Sequence, residues 1–230
     1  YGLEARLEPY TFGVTWTRGS AFLRLAAPFI REITAHSWAW TEGTGGKSLT
    51  GPVVLTDLST PESLAVYRSG VKGAWVLPRA PFPLWNPDGP EMTPEDSLRL
   101  QEQIKLRNSP FADTSAAAVL ARRQFQVDMP YILKSEGALG TLIDGAKDHG
   151  LMTMSGSPNR LSPLPSMVIS HEDYALLTRL LGHKITPRLE GRVQNRLGGA
   201  AVQQWNTVAE IRGSRWPGQV VILGAHLEGP

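Results

Sequence analysis

The sequence predicts an α+β fold that is rich in β-structure. Three observations lead there. Glycine and proline are both abundant, 23 and 18 of 230 residues, which favours a turn-rich fold over a helical bundle. Short apolar runs recur along the chain and read as strands. Only a few segments combine a capping signal with helical periodicity. A chain of this length buries a sizeable core in one or two domains.

In chain order, Leu3 to Phe12 alternates apolar and polar residues, the pattern of a half-buried strand, with Pro9 making its end irregular or an edge. Residues 21–40 are apolar and lead through Trp38 and Trp40 to a Gly-rich turn, Gly43-Thr-Gly-Gly46. Strands are expected at Gly51–Thr56 and Gly73–Leu77. Between them a helix opens at Thr60-Pro61-Glu62, with a capping Thr and Pro at the first helical position, and ends at Gly70. Residues 78–92 form a Pro-rich loop carrying Phe82 and Trp85, whose rings are expected to pin the loop rather than line a groove. A charged helix opens at Thr93 and runs to about Arg107, and a second spans Asp113 to Gln126. Strands follow at Pro130–Leu133, Ala138–Ile143, Met152–Met154 and Ser166–Ile169. Ser170-His-Glu-Asp173 reads as a capping box with Asp in place of Glu. Its helix carries Leu176, Leu177, Leu180 and Leu181 on one face and stops at Gly182. Arg188–Asn195 is a further strand, Gly198-Gly199 a loop, and Val220–Leu223 a final strand apolar enough to be buried on both faces.

Composition excludes several classes. Net charge is +2 with both signs interspersed, so the chain carries no nucleic-acid footprint. No window reaches the roughly 18 apolar residues of a membrane span. The absence of cysteine excludes disulfides and thiolate metal sites. The chain shows neither an initiating Met nor a signal peptide, so Tyr1 reads as the start of a mature or excised segment.

Gly43-Thr-Gly-Gly-Lys-Ser48 has the ending of a phosphate-binding loop. Position 41 is Thr where the motif needs Gly, and neither the preceding strand nor the following helix is expected, so a hairpin turn is favoured. Of the five histidines, no two have the i, i+4 spacing of a helical zinc pair. His171 falls in a helix first turn, His149 and His183 in turns beside Gly, and His36 packs beside Trp38; each is expected to be structural or solvated. His226 differs because it follows the terminal apolar run, and the carboxyl end of a buried strand is where α/β sheets place ligands and metals. No Gly-x-Ser-x-Gly elbow and no Cys nucleophile occurs. A central strand with a candidate ligand at its tip, four residues from Pro230, suggests part of a larger protein.

Gly2-Leu-Glu-Ala-Arg-Leu-Glu-Pro-Tyr10, Trp205-Asn-Thr-Val-Ala-Glu-Ile-Arg-Gly213 and Gln219-Val-Val-Ile-Leu-Gly-Ala-His226 together resemble the secreted di-zinc exopeptidases of the aminopeptidase S and carboxypeptidase Q type. Asp128-Met-Pro-Tyr-Ile-Leu-Lys-Ser-Glu-Gly137 and Pro163–Ile169 resemble the protease-associated domain inserted in bacterial members. The resemblance implies three parts: residues 1–39 as N-terminal strand and linker, 40–195 as the protease-associated domain, and 196–230 as the beginning of the catalytic domain. The insert would be an open β-barrel or sandwich with peripheral helices, flanked by strands of an α/β zinc-peptidase sheet. His226 would bind one of the parent's two zinc ions. Glu228 falls where the family has Asp, the acid that orients this histidine; it is one methylene too long for the same geometry, and a non-native junction at Glu228-Gly-Pro230 is the alternative.

The remaining ligands and the general base would lie elsewhere in the parent, so this chain alone is expected to be catalytically inactive. The parent would hydrolyse terminal residues of peptide substrates outside the cytoplasm. Its insert would shape substrate access or mediate protein contacts, and exposed terminal strands would favour self-association. Two alternatives are a stand-alone peptide- or protein-binding module without catalysis and a nucleotide-binding protein using the Gly43–Ser48 loop.

Overall fold

The computed structural model describes residues 3–83 and 92–225. Ten strands occur among the described residues: β1 (Glu4–Thr17), β2 (Ala21–Ala27), β3 (Arg31–Glu32), β4 (Ala35–Ser37), β5 (Leu49–Leu55), β6 (Trp75–Leu77), β7 (Gly140–Asp144), β8 (Ser166–Ile169), β9 (Arg188–Val193) and β10 (Arg196–Glu210). Four α-helices accompany them in the same residues: α1 (Pro61–Tyr67), α2 (Pro94–Asn108), α3 (Ala116–Ser135) and α4 (His171–Gly182). The fold is therefore α+β and sheet-rich. The described chain divides into two units, one running from Val14 to Ala200 and the other made of the segments up to Gly13 and from Ala201.

In the larger unit an eight-stranded sheet runs β3-β2-β9-β5-β6-β7-β8-β4. Strands β5, β6, β7 and β8 are mutually parallel, and β2, β4 and β9 join antiparallel. The two edge strands, β3 and β4, are adjacent in the chain, and β2 also contacts β4. The sheet therefore curls until its edges approach, which leaves little open edge for another chain to pair with.

Alternation along the strands divides the core between two faces. Trp75 and Leu77 of β6 point to one side with Leu23, Leu25, Leu142, Met167 and Leu189, where α4 covers them with Tyr174 and Leu177. Val76 points to the other side and meets Leu64 of α1 and Leu133 of α3. The helix starts follow their caps. Thr60 Oγ1 accepts from the Ser63 amide, Thr93 Oγ1 from Asp96, and Ser170 Oγ from Asp173 at 3.1 Å.

Four elements differ from expectation. Pro130–Leu133 is not a strand but the last turns of α3, which extends to Ser135 with Pro130 inside it. Phe125, Met129, Ile132 and Leu133 recur at helical spacing and pack on the second core, so burial of this stripe outweighs the local cost of proline. Met152–Met154 is irregular rather than extended into a strand. Gly198-Gly199 lies within β10 instead of a loop. A Cβ on Gly198 would stand 1.8 Å from Thr15 Oγ1, so glycine is what permits this close approach. Val220–Leu223 is irregular and 81–95 % exposed rather than a buried strand, because no described element covers it.

Strands β1 and β10 pair in a separate two-stranded sheet. In the smaller unit β1 is exposed on both faces from Glu4 to Tyr10, not half-buried, and Arg6 bridges Glu8 and Glu210 at 2.8 Å each. Within the larger unit, Trp16 donates from Nε1 to the Thr41 carbonyl and Trp40 to that of Val14, with the two indoles stacked 6.1 Å apart.

Candidate functional site at the strand tips

The carboxyl ends of the parallel strands converge on one cleft of about 980 Å3. Parallel α/β sheets bind ligands in this position because the connections diverge there and leave a crevice. Asp57 follows β5, Arg79 follows β6, Asp144 ends β7 and His171 begins the helix after β8. The opposite wall comes from α2 and the turn that follows it, with Arg107 and Pro110.

The floor is a hydrogen-bonded pair. His171 Nδ1 lies 3.1 Å from Asp144 Oδ1, with the two side chains 17 % and 8 % exposed. The carboxylate is satisfied further: Oδ2 accepts from the Phe82 amide at 2.6 Å and Oδ1 from the Ala146 amide at 2.9 Å. Such a carboxylate holds an imidazole in one orientation. With Nδ1 donating to Asp144, Nε2 is left as acceptor in neutral histidine or donor in the protonated form.

Three arginines, Arg79, Arg107 and Arg179, bring positive charge to the cleft, opposed by Asp57, and the first two are tied to one another. Arg79 Nη2 donates to the Arg107 carbonyl at 2.9 Å, and Arg107 Nη1 donates to the Ala80 carbonyl at 2.8 Å. Arg79 stacks over the Phe111 ring at 5.2 Å and Arg107 over Phe82 at 5.1 Å. Burial, reinforced by the like charge of Arg107, holds the Arg79 guanidinium below its usual pKa, with Asp57 opposing in part. Asp57 itself accepts from the amide and hydroxyl of Ser59. Tyr174 closes the base: its hydroxyl donates to the Arg79 carbonyl at 2.6 Å, and burial pushes its ionisation well above the usual range.

The expected site residues His226 and Glu228 lie outside the described residues, as does Trp85. Among the described residues no group of three or more His, Asp or Glu is arranged to hold a metal ion. His36 is exposed on β4 rather than packed beside Trp38, because its side of this edge strand faces away from the core. His149 sits in a turn at φ 61° before Gly150, and His183 caps the end of α4. His171 does begin a helix but is paired with a buried carboxylate instead of being solvated. Phe82 lines the cleft under Arg107 as well as anchoring its loop. The Gly43–Ser48 segment is a turn: Gly45 and Gly46 have φ of 64° and 77°, Thr44 Oγ1 donates to the Lys47 carbonyl, and strand β5 rather than a helix follows. No helix among the described residues is long and apolar enough to cross a membrane.

No family model matches this chain. It is similar to carboxypeptidase Q of Bos taurus, 27 % identical over 135 aligned residues that cover 55 % of this chain and 26 % of that protein. The fold is that of a region found in solved M28 peptidases. A peptidase M28 precursor from Shewanella amazonensis SB2B superposes with a TM-score of 0.59 at 16 % identity, over 92 % of this chain and 42 % of the other. An aminopeptidase from Aneurinibacillus sp. strain AM-1 gives 0.52 at 12 %, over 93 % and 40 %. The chain thus spans about a quarter of the curated relative and two fifths of the solved ones.

Proposed function

We propose that this chain is the portion of an M28-type zinc exopeptidase that carries its protease-associated domain. The observation that carries this reading is the pairing of sequence similarity to carboxypeptidase Q with a fold match to an M28 precursor over nearly the whole chain. Residues 40–195 form the insert in this reading, while 1–39 and 196–230 flank it toward the catalytic domain. The insert shapes substrate access or holds partner proteins. The parent removes terminal residues from peptides in an extracellular or periplasmic compartment. Self-association through the exposed terminal segments belongs to the same reading, since Val220–Leu223 stands in solvent here.

His226 is the residue of this chain assigned to zinc, and Glu228 stands at the position where the family's Asp orients that histidine, one methylene longer than that acid. One histidine cannot hold zinc alone, so the remaining ligands come from the parent. Bound zinc would supply an activated water for hydrolysis. The test compares this chain with the full-length gene product, and the latter with its His226→Ala variant. Zinc content and hydrolysis of aminoacyl and dipeptide substrates are measured on each. The reading expects both only in the full-length protein, with zinc content falling in His226→Ala. A full-length protein that takes up no zinc and cleaves neither substrate would overturn it in favour of a binding module.

A further inference from the structure

We infer that the cleft between Arg79 and Arg107 binds an organic anion, a carboxylate or phosphate group carried on an apolar body. The inference goes beyond the exopeptidase reading and does not depend on it. Two guanidinium groups are held together at the tips of the parallel strands, and among the described residues neither forms an ion pair with a carboxylate. Asp144, the buried acid nearby, is engaged by His171 and two backbone amides. Asp57 lines the same cleft and offsets part of the charge of Arg79, but its carboxylate accepts from Ser59 rather than from either guanidinium. Bringing two like charges together in a partly buried wall is unfavourable until an anion joins them.

The pair is also preorganised. Each guanidinium spends donors on a carbonyl of the other's segment and rests on an aromatic face, Phe111 or Phe82. A guanidinium has five N–H donors, so several remain on each for a ligand oxygen. Fixing them beforehand removes much of the ordering cost of binding. The fork geometry suits the paired oxygens of carboxylate and phosphate. His171, oriented by Asp144, adds a third polar group from the floor. Leu55, Pro81, Leu106 and Ala175 give the wall apolar surface that suits a hydrocarbon or aromatic body, interrupted by the charged Asp57 and Arg179 and the polar Gln103 and Thr178. At about 980 Å3 the space accommodates a small molecule.

The test is titration calorimetry and thermal unfolding of the 230-residue chain with phenyl phosphate, hippurate and neutral benzamide, at low and high salt. The expected result is saturable binding of at least one anion that weakens with salt, with no comparable binding of benzamide. The tighter of the two anions distinguishes phosphate from carboxylate chemistry. Arg107→Gln should weaken binding by about tenfold or more, the loss of a charge-assisted hydrogen bond, and Arg107→Lys by less. Should Arg79→Gln impair folding, the Arg107 pair of variants decides, since Arg107 lies on the helix wall away from the core. Binding of neither anion by the folded wild type, or undiminished binding by folded Arg107→Gln, overturns the inference.

Discussion

The Trp75 indole lies between two glycines, and this arrangement predicts a reversal of sign in a double-mutant cycle. Trp75 is fully buried on β6, and its ring reaches inside the curled sheet to β9. A Cβ on Gly191 would stand 2.6 Å from Trp75 Cζ2 and 2.9 Å from Cη2, closer than carbon atoms pack. Overpacking of this kind costs about 1–3 kcal/mol. Alanine also restricts the unfolded chain and returns about 0.4–1 kcal/mol, because Gly191 is not among the glycines with positive φ. The net expectation for Gly191→Ala is therefore a destabilisation of about 1–2 kcal/mol. Trp75→Leu removes both offending atoms, and the next nearest is Leu23 Cδ1 at 3.1 Å, the mobile end of a side chain. In that background Gly191→Ala should be neutral or stabilising, a coupling of about 1–3 kcal/mol. Urea unfolding followed by far-UV circular dichroism measures all four proteins. An equal cost for Gly191→Ala in both backgrounds would refute the packing argument.

Two further expectations concern α4 and α3. Tyr174 ionises near pH 10 when unfolded, and burial raises that value in the folded chain. Above that pH the unfolded state binds fewer protons than the native state, so stability falls as pH rises, by up to about 1.4 kcal/mol per pH unit for this group. Tyr174→Phe should flatten that alkaline decline while losing about 1 kcal/mol at neutral pH with its bond to the Arg79 carbonyl; an unchanged alkaline slope in urea titrations would contradict this. Pro130 interrupts the hydrogen-bond ladder of α3. Pro130→Ala should stabilise the fold by about 1–2 kcal/mol after the entropic advantage of proline is subtracted, raising the unfolding midpoint by roughly 2–4 °C per kcal/mol. A lowered midpoint would show that the proline ring's packing outweighs the missing N–H.

Local signals were legible where the chain's own chemistry decides the outcome. Thr60, Thr93 and Ser170 mark helix starts because a short hydroxyl side chain satisfies an amide that no upstream carbonyl can reach. Strands β5 to β8 stand out as apolar runs because they are covered on both faces. The failures are places where distant partners decide. Pro130 reads as a boundary until the stripe from Phe125 to Leu133 is seen to need the second core. Gly198 reads as a loop until Thr15 takes the space its side chain would fill.

The cleft is the extreme case. Asp144 and His171 are 27 residues apart, as are Ala80 and Arg107, and no short motif links either pair. Connectivity joins them. Consecutive parallel strands must return across the sheet by a crossover, so every strand in the run delivers its carboxyl end to the same edge. The α2–α3 crossover between β6 and β7 then carries Arg107 back over Arg79. A polar residue just past an apolar run is ordinary in the sequence; Asp57, Arg79 and His171, after β5, β6 and β8, line one crevice, and Asp144 at the end of β7 holds His171 there. Chemistry gathered in this way is found by reading the residues just past each expected strand, whereas a search for spaced motifs passes over it.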